Sequence, residues 1–141
     1  ESFKKLFWYP DIIVCNDWQT AMLPMLLKNN YKNDEKYKNI KTVNFIHTID
    51  KNRKIEIDCF KKFNLDINYK KGMDILSESM ELFDLNILLD SQDNKVSKKL
   101  DKNKKLKSKY EKSNSKTLVY PYDGDSWKLL VDEFISLISK L

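Results

Sequence analysis

Pro10-Asp11-Ile12-Ile13-Val14-Cys15-Asn16-Asp17-Trp18-Gln19-Thr20-Ala21 is a short apolar run that stops at an Asn-Asp pair and resumes with a different spacing. Ile12, Ile13 and Val14 are consecutive branched aliphatics behind a proline, and an uninterrupted apolar run of this length suits a parallel strand covered on both faces. From Trp18 onward, Trp18, Ala21, Met22, Met25 and Leu26 recur at intervals of three and four, which predicts a helix from Trp18 to about Asn30 with one buried stripe. Pro24 falls inside that helix, so a lost hydrogen bond and a kink are expected there. The junction Asn16-Asp17 is thereby placed at the carboxyl end of a strand, where open α/β sheets bind ligands.

Working outward, the segment from Lys41 to His47 carries Val43, Phe45 and Ile46 and reads as a second strand ending at the chain's one histidine. Two strands joined by a helix make a β-α-β unit, so Asp17 and His47 fall on the same edge of the sheet. Glu1 to Tyr9 reads as the end of a helix, closed by Pro10. Thr48 to Tyr69 is irregular, with a short helix near Asp58 to Phe63, and Lys71 to Leu82 reads as a further helix. Asn86 to Asp90 supplies a third strand, and Lys116 to Tyr122, with Thr117-Leu118-Val119-Tyr120 closed by Pro121, a fourth. Asp123-Gly124-Asp125-Ser126 is a turn and cap, and Trp127 to Leu141 is amphipathic, with Leu130, Phe134, Leu137, Ile138 and Leu141 on one stripe. The fold class expected is a single α/β domain over residues 1–141, a mostly parallel, Rossmann-like sheet with helices on both faces. Residues 101–116, rich in lysine, asparagine and serine, are expected as a mobile linker within it.

The 26 basic and 21 acidic residues give a net charge of +5, but the lysines are scattered among Asn, Asp and Glu, and Arg53 is the single arginine. That pattern describes a solvated surface; a nucleic-acid face favours arginine set among aromatics. Cys15 and Cys59 have no Cys-x-x-Cys spacing, and one histidine cannot complete a zinc site with them, so both are expected to be small buried residues in a reducing cytoplasm. Neither a metal nor a cofactor is implied. No apolar run approaches the ~20 residues of a membrane span.

Pro10-Asp11-Ile12-Ile13, Cys15 to Ala21 and Pro24 resemble the "PDIIHCNDWQTALIP" segment of bacterial glycogen synthases and plant starch synthases. Lys38-Asn39-Ile40-Lys41-Thr42-Val43 through Ile46-His47 resembles the same family's "FYKNIKTVFTIHN". The resemblance implies a retaining glucosyltransferase that uses ADP-glucose as donor and an α-1,4-glucan as acceptor, in a two-domain GT-B fold of which this chain is the later part of the N-terminal domain. It implies that Asp17 and His47 line the catalytic cleft at the donor sugar, with Asn16, Trp18 and Gln19 in substrate-binding positions. Judged without it, Asp17 is a helix N-cap and His47 a structural histidine.

Several features depart from the family pattern. The "HNLAYQG" segment is replaced by His47-Thr48-Ile49-Asp50-Lys51, and with only Gly72 and Gly124 there is no glycine-rich "KTGGLGDV" loop to hold a diphosphate. A 141-residue chain is too short for both GT-B domains, and its first residue is Glu1, so sequence upstream is expected. The closing helix looks like a chain end. The alternative to a synthase is accordingly a non-catalytic one-domain homologue that binds glucan or a protein partner.

Overall fold

The computed structural model describes residues 5–6, 8–65, 72–120 and 126–141. Most of the helix expected over Glu1 to Tyr9, and the turn expected at Asp123 to Asp125, lie outside these residues. The main sheet has four strands, β1 (Ile12–Asn16), β2 (Lys41–Ile46), β5 (Leu85–Asp90) and β6 (Ser115–Val119), all parallel and in the order β1-β2-β5-β6. A two-stranded antiparallel pair, β3 (Lys54–Ile55) with β4 (Met73–Asp74), sits in the connection between β2 and β5. The helices are α1 (Leu23–Asn30), α2 (Ile57–Lys62), α3 (Ile75–Ser79) running into a 3₁₀ turn (Met80–Leu82), α4 (Val96–Asp101), α5 (Lys104–Lys112) and α6 (Ser126–Ile138).

The strand order follows chain order without reversal, and this decides how the two faces are covered. Right-handed crossovers that all step in the same direction deliver their helices to one face. Alternate residues of each strand separate accordingly. Ile13, Cys15, Ile46 and Leu88 join Met25, Ile75, Leu76, Met80, Val96, Leu100 and Leu106 in one core. Ile12, Val43, Phe45, Ile87, Leu89 and Leu118 form the other, against Leu130, Phe134, Leu137, Ile138 and Leu141 of the closing segment. Helices do cover both faces, but on the second face it is α6, after the last strand, that supplies the described cover. Strand β1 lies at the sheet's edge, and its Val14 is 44% exposed, so the expectation of a strand covered on both faces fails there.

The helix expected from Trp18 begins five residues later, at Leu23. Three local facts explain this. Asp17 adopts φ 54°, in the left-handed region, which ends the strand in a turn. The Thr20 hydroxyl accepts from the Asn16 N–H and donates to the Asn16 carbonyl, both at 2.8 Å, drawing the turn closed. Pro24 has no N–H to offer the Thr20 carbonyl, which instead accepts from Leu23 at 3.1 Å. The proline therefore stands in the first turn of α1, where its missing N–H costs nothing, and the expected kink does not arise.

The helix expected over Lys71 to Leu82 is likewise shorter, because Met73 and Asp74 are taken by β4. Residues 101–116, expected as a linker, hold α5 and the start of β6. Asn103 caps α5 by accepting from Leu106 N–H at 3.2 Å, and Leu106 is fully buried. Its lysines reach acidic partners across the chain: Lys105 to Glu78 and Lys109 to Glu81, each at 2.6 Å. On β2 and β5, Asn44 and Asn86 are register partners and both fully buried, with Asn44 Nδ2 donating to Asn86 Oδ1 at 3.2 Å. Asn86 Nδ2 donates in turn to the Met80 carbonyl at 2.9 Å, tying the 3₁₀ turn to the sheet.

Candidate functional site

The carboxyl ends of β1 and β2 bring Asn16, Asp17 and His47 together. Asp17 N–H donates to the Phe45 carbonyl at 2.8 Å, extending the β1–β2 ladder by one bond beyond the last strand residue. The left-handed turn at Asp17 then swings its carboxylate across the gap. Its Oδ1 accepts from His47 N–H at 2.8 Å and from Thr48 N–H at 2.9 Å. Asp17 is therefore not a cap of the helix that follows it. It satisfies two backbone donors where β2 ends, and so fixes the path of the chain through His47.

The imidazole of His47 is held on both sides. Nε2 lies 3.2 Å from Asn16 Oδ1, and Nδ1 lies 3.3 Å from the Tyr120 hydroxyl. The His47 carbonyl accepts from Asn94 Nδ2 at 3.1 Å, so the loop after β5 also contributes. Tyr120 follows β6, and its N–H donates to the Asp90 carbonyl at 2.7 Å. Its ring is inclined 23° to the imidazole, centroids 6.3 Å apart, and its centroid lies 5.4 Å from that of Trp127. Burial raises the Tyr120 phenol above its ordinary pKa, and the Asp17 charge adds to the effect. Every strand of the main sheet thus sends a residue, or the loop that follows it, to this edge.

Trp18 and Gln19 are placed elsewhere. Trp18 is half-buried against the first core with Met22 and Leu23, and Gln19 lines a shallow groove of about 380 Å³ with Val14, Thr20 and Phe63 along the open side of β1. A larger concavity, about 430 Å³, lies at the opposite end of the sheet, between Lys28, Lys32, Lys38 and Lys41. At the edge that holds them, Asp17 and His47 are both half-buried. Tyr120 and Asn94 were not singled out from the sequence. The rule that drew attention to Asp17 and His47 applies equally to Tyr120, which closes the fourth strand, but Asn94 carries no such signal.

Residues 1–102 match the family model of the starch synthase catalytic domain. The chain belongs to that family. Within it, the chain is 57% identical over 49 residues to the glycogen synthase of Clostridium perfringens (strain 13 / Type A), covering 35% of this chain and 10% of that protein. It is 51% identical over 47 residues to the glycogen synthase of Chlorobium chlorochromatii (strain CaD3), covering 33% and 10%. It is 42% identical over 62 residues to that of Pelodictyon phaeoclathratiforme (strain DSM 5477 / BU-1), covering 44% and 13%. The matched segment thus spans about a tenth of the length of these relatives. Asn16, Asp17, His47 and Asn94 lie inside the starch synthase family match, whereas Tyr120 lies beyond it.

Among the described residues no three or more His, Cys, Asp or Glu side chains gather as a metal site, and no helix is long and apolar enough to cross a membrane. Cys15 is buried as expected, but Cys59 is only half-buried. Burial pushes the Cys15 thiol up to about 11. Because the folded state holds this proton more tightly than the unfolded chain, the contribution is intact below the ordinary value of 9.0 and is lost as pH rises through about 11. Denaturation midpoints measured across that window should fall less steeply for Cys15→Ala than for the wild type; equal slopes would show that Cys15 ionises freely in the fold.

Proposed function

We propose that this chain forms the donor-sugar side of a glycogen synthase-type glucosyltransferase, which in the full-length protein moves glucose from ADP-glucose to the non-reducing end of an α-1,4-glucan. The observation that carries the reading is the interlocked Asn16-Asp17-His47 edge, inside the family match and at the carboxyl ends of adjacent parallel strands. In this reading His47 offers a ring nitrogen to a sugar hydroxyl, and Asp17 fixes the backbone that presents the ring. Asn16 exchanges its contact with the imidazole for one with substrate. Trp18 and Gln19 bear on substrate only at the rim. In the full-length protein the leaving diphosphate is held by a second GT-B domain, as the family resemblance implies.

Glucose transfer onto glycogen by the full-length gene product tests this directly. His47→Ala should lower kcat/KM about a hundredfold, the usual effect of removing one well-placed donor. Undiminished transfer would remove His47 from the site.

One observation favours the non-catalytic reading. The family match ends at residue 102, and beyond it the chain continues the sheet with β6 and covers its second face with α6. A homologue that binds glucan without transferring glucose would show saturable quenching of tryptophan fluorescence by maltooligosaccharide and no transfer.

A further inference from the structure

The two partners of the His47 ring differ in what they can give. Asn16 presents a carboxamide oxygen to Nε2, and such an oxygen only accepts, so Nε2 carries the proton that is donated to it. In the neutral imidazole Nδ1 is then the bare nitrogen, and the Tyr120 hydroxyl must be the donor. The two contacts also differ in permanence. Asn16 is exposed, whereas the Tyr120 contact is partly buried and its ring is braced by Trp127 and by the backbone bond to Asp90.

We propose that Tyr120 is a positioning residue for His47: its hydroxyl donates to Nδ1, holds the Nε2–H tautomer, and aims that N–H at a ligand hydroxyl that replaces Asn16. The proposal rests on the sugar-binding reading of this edge and adds the direction of the hydrogen bond. A carboxylate at Nδ1 would have called for Nδ1–H and left Nε2 as a proton acceptor. A phenol in that place makes the imidazole a neutral donor to substrate. Tyr120 lies just after β6 and beyond the family match, so a residue outside the matched segment sets the chemistry of one inside it.

Because His47 is the chain's single histidine, its imidazole ¹⁵N signals in the 141-residue chain are unambiguous. At a pH where the ring is neutral, Nδ1 should resonate as a hydrogen-bonded unprotonated nitrogen and Nε2 as a protonated one. Tyr120→Phe keeps the aromatic ring and should move Nδ1 towards the value of an unbonded nitrogen while leaving Nε2 protonated. It should also weaken maltotriose binding roughly two- to tenfold, the worth of one hydrogen bond. A proton on Nδ1 in the wild type overturns the proposal, even if Tyr120→Phe fails to fold, and so does an Nδ1 signal that the substitution does not move. If maltotriose leaves the Nε2 signals of the wild type unmoved while the Nδ1 difference persists, the sugar-binding reading fails and the tautomer assignment stands.

Discussion

Asp74→Ala is expected to lower the unfolding free energy by about 3–5 kcal/mol, the range for removing one partner of a buried ion pair. Arg53 is 7% exposed, and its guanidinium grips Asp74 with two bonds, Nε to Oδ1 at 3.2 Å and Nη2 to Oδ2 at 2.8 Å. Its Nη1 donates to the Asp50 carbonyl. Asp74 also caps α3, accepting from Ser77 N–H at 3.2 Å, and it pairs in register with Lys54 across β3 and β4. Without Asp74 the guanidinium stays charged, since arginine does not deprotonate in a protein, and the helix start loses its cap. The pair joins the two ends of a long connection whose hairpin has only two residues per strand. Urea denaturation of the single variants and of Arg53→Met with Asp74→Leu checks this. The double variant should lose less than Asp74→Ala alone, because no unpaired charge is left behind. A shift below about 1 kcal/mol for Asp74→Ala would mean the guanidinium is solvated in solution.

Asp17→Ala is expected to cost about 3 kcal/mol, and Asp17→Asn less than about 1 kcal/mol. Alanine at φ 54° is strained, and it leaves the N–H groups of His47 and Thr48 without their shared acceptor. Asparagine keeps an oxygen at the same place and tolerates the left-handed turn. The same pair of variants separates two roles for the carboxylate. In the full-length protein, transfer that survives in Asp17→Asn and is lost in Asp17→Ala identifies Asp17 as the support of His47. Loss in both, with Asp17→Asn still stably folded, assigns the charge itself to the substrate. Thermal denaturation alongside the transfer assay gives both readings.

The four strands and the closing helix were legible in the sequence because each carries its own pattern. Short apolar runs at 12–14, 43–46 and 87–89, bounded by polar residues, suit strands better than helices, and Leu130, Phe134, Leu137 and Ile138 share one side of a helix and, with Leu141 just beyond it, meet the second face of that sheet. The shared edge of Asp17 and His47 followed from strand order, and the family from the residues around it. Burial of apolar side chains is periodic along the chain, so these features needed no knowledge of distant partners.

What only the tertiary structure decided depends on partners remote in sequence. Asp17 reads as a cap until its carboxylate is seen to reach backbone donors 30 and 31 residues away. Residues 101–116 read as a linker because α5 has few apolar side chains, and it is held by buried Leu106 together with Glu78 and Glu81. Tyr120 meets His47 across 73 residues through the parallel stacking of β2, β5 and β6. Hydrogen bonds and ion pairs are short-ranged in space and indifferent to sequence separation, so a chain read one window at a time shows the donors and acceptors but not their pairing.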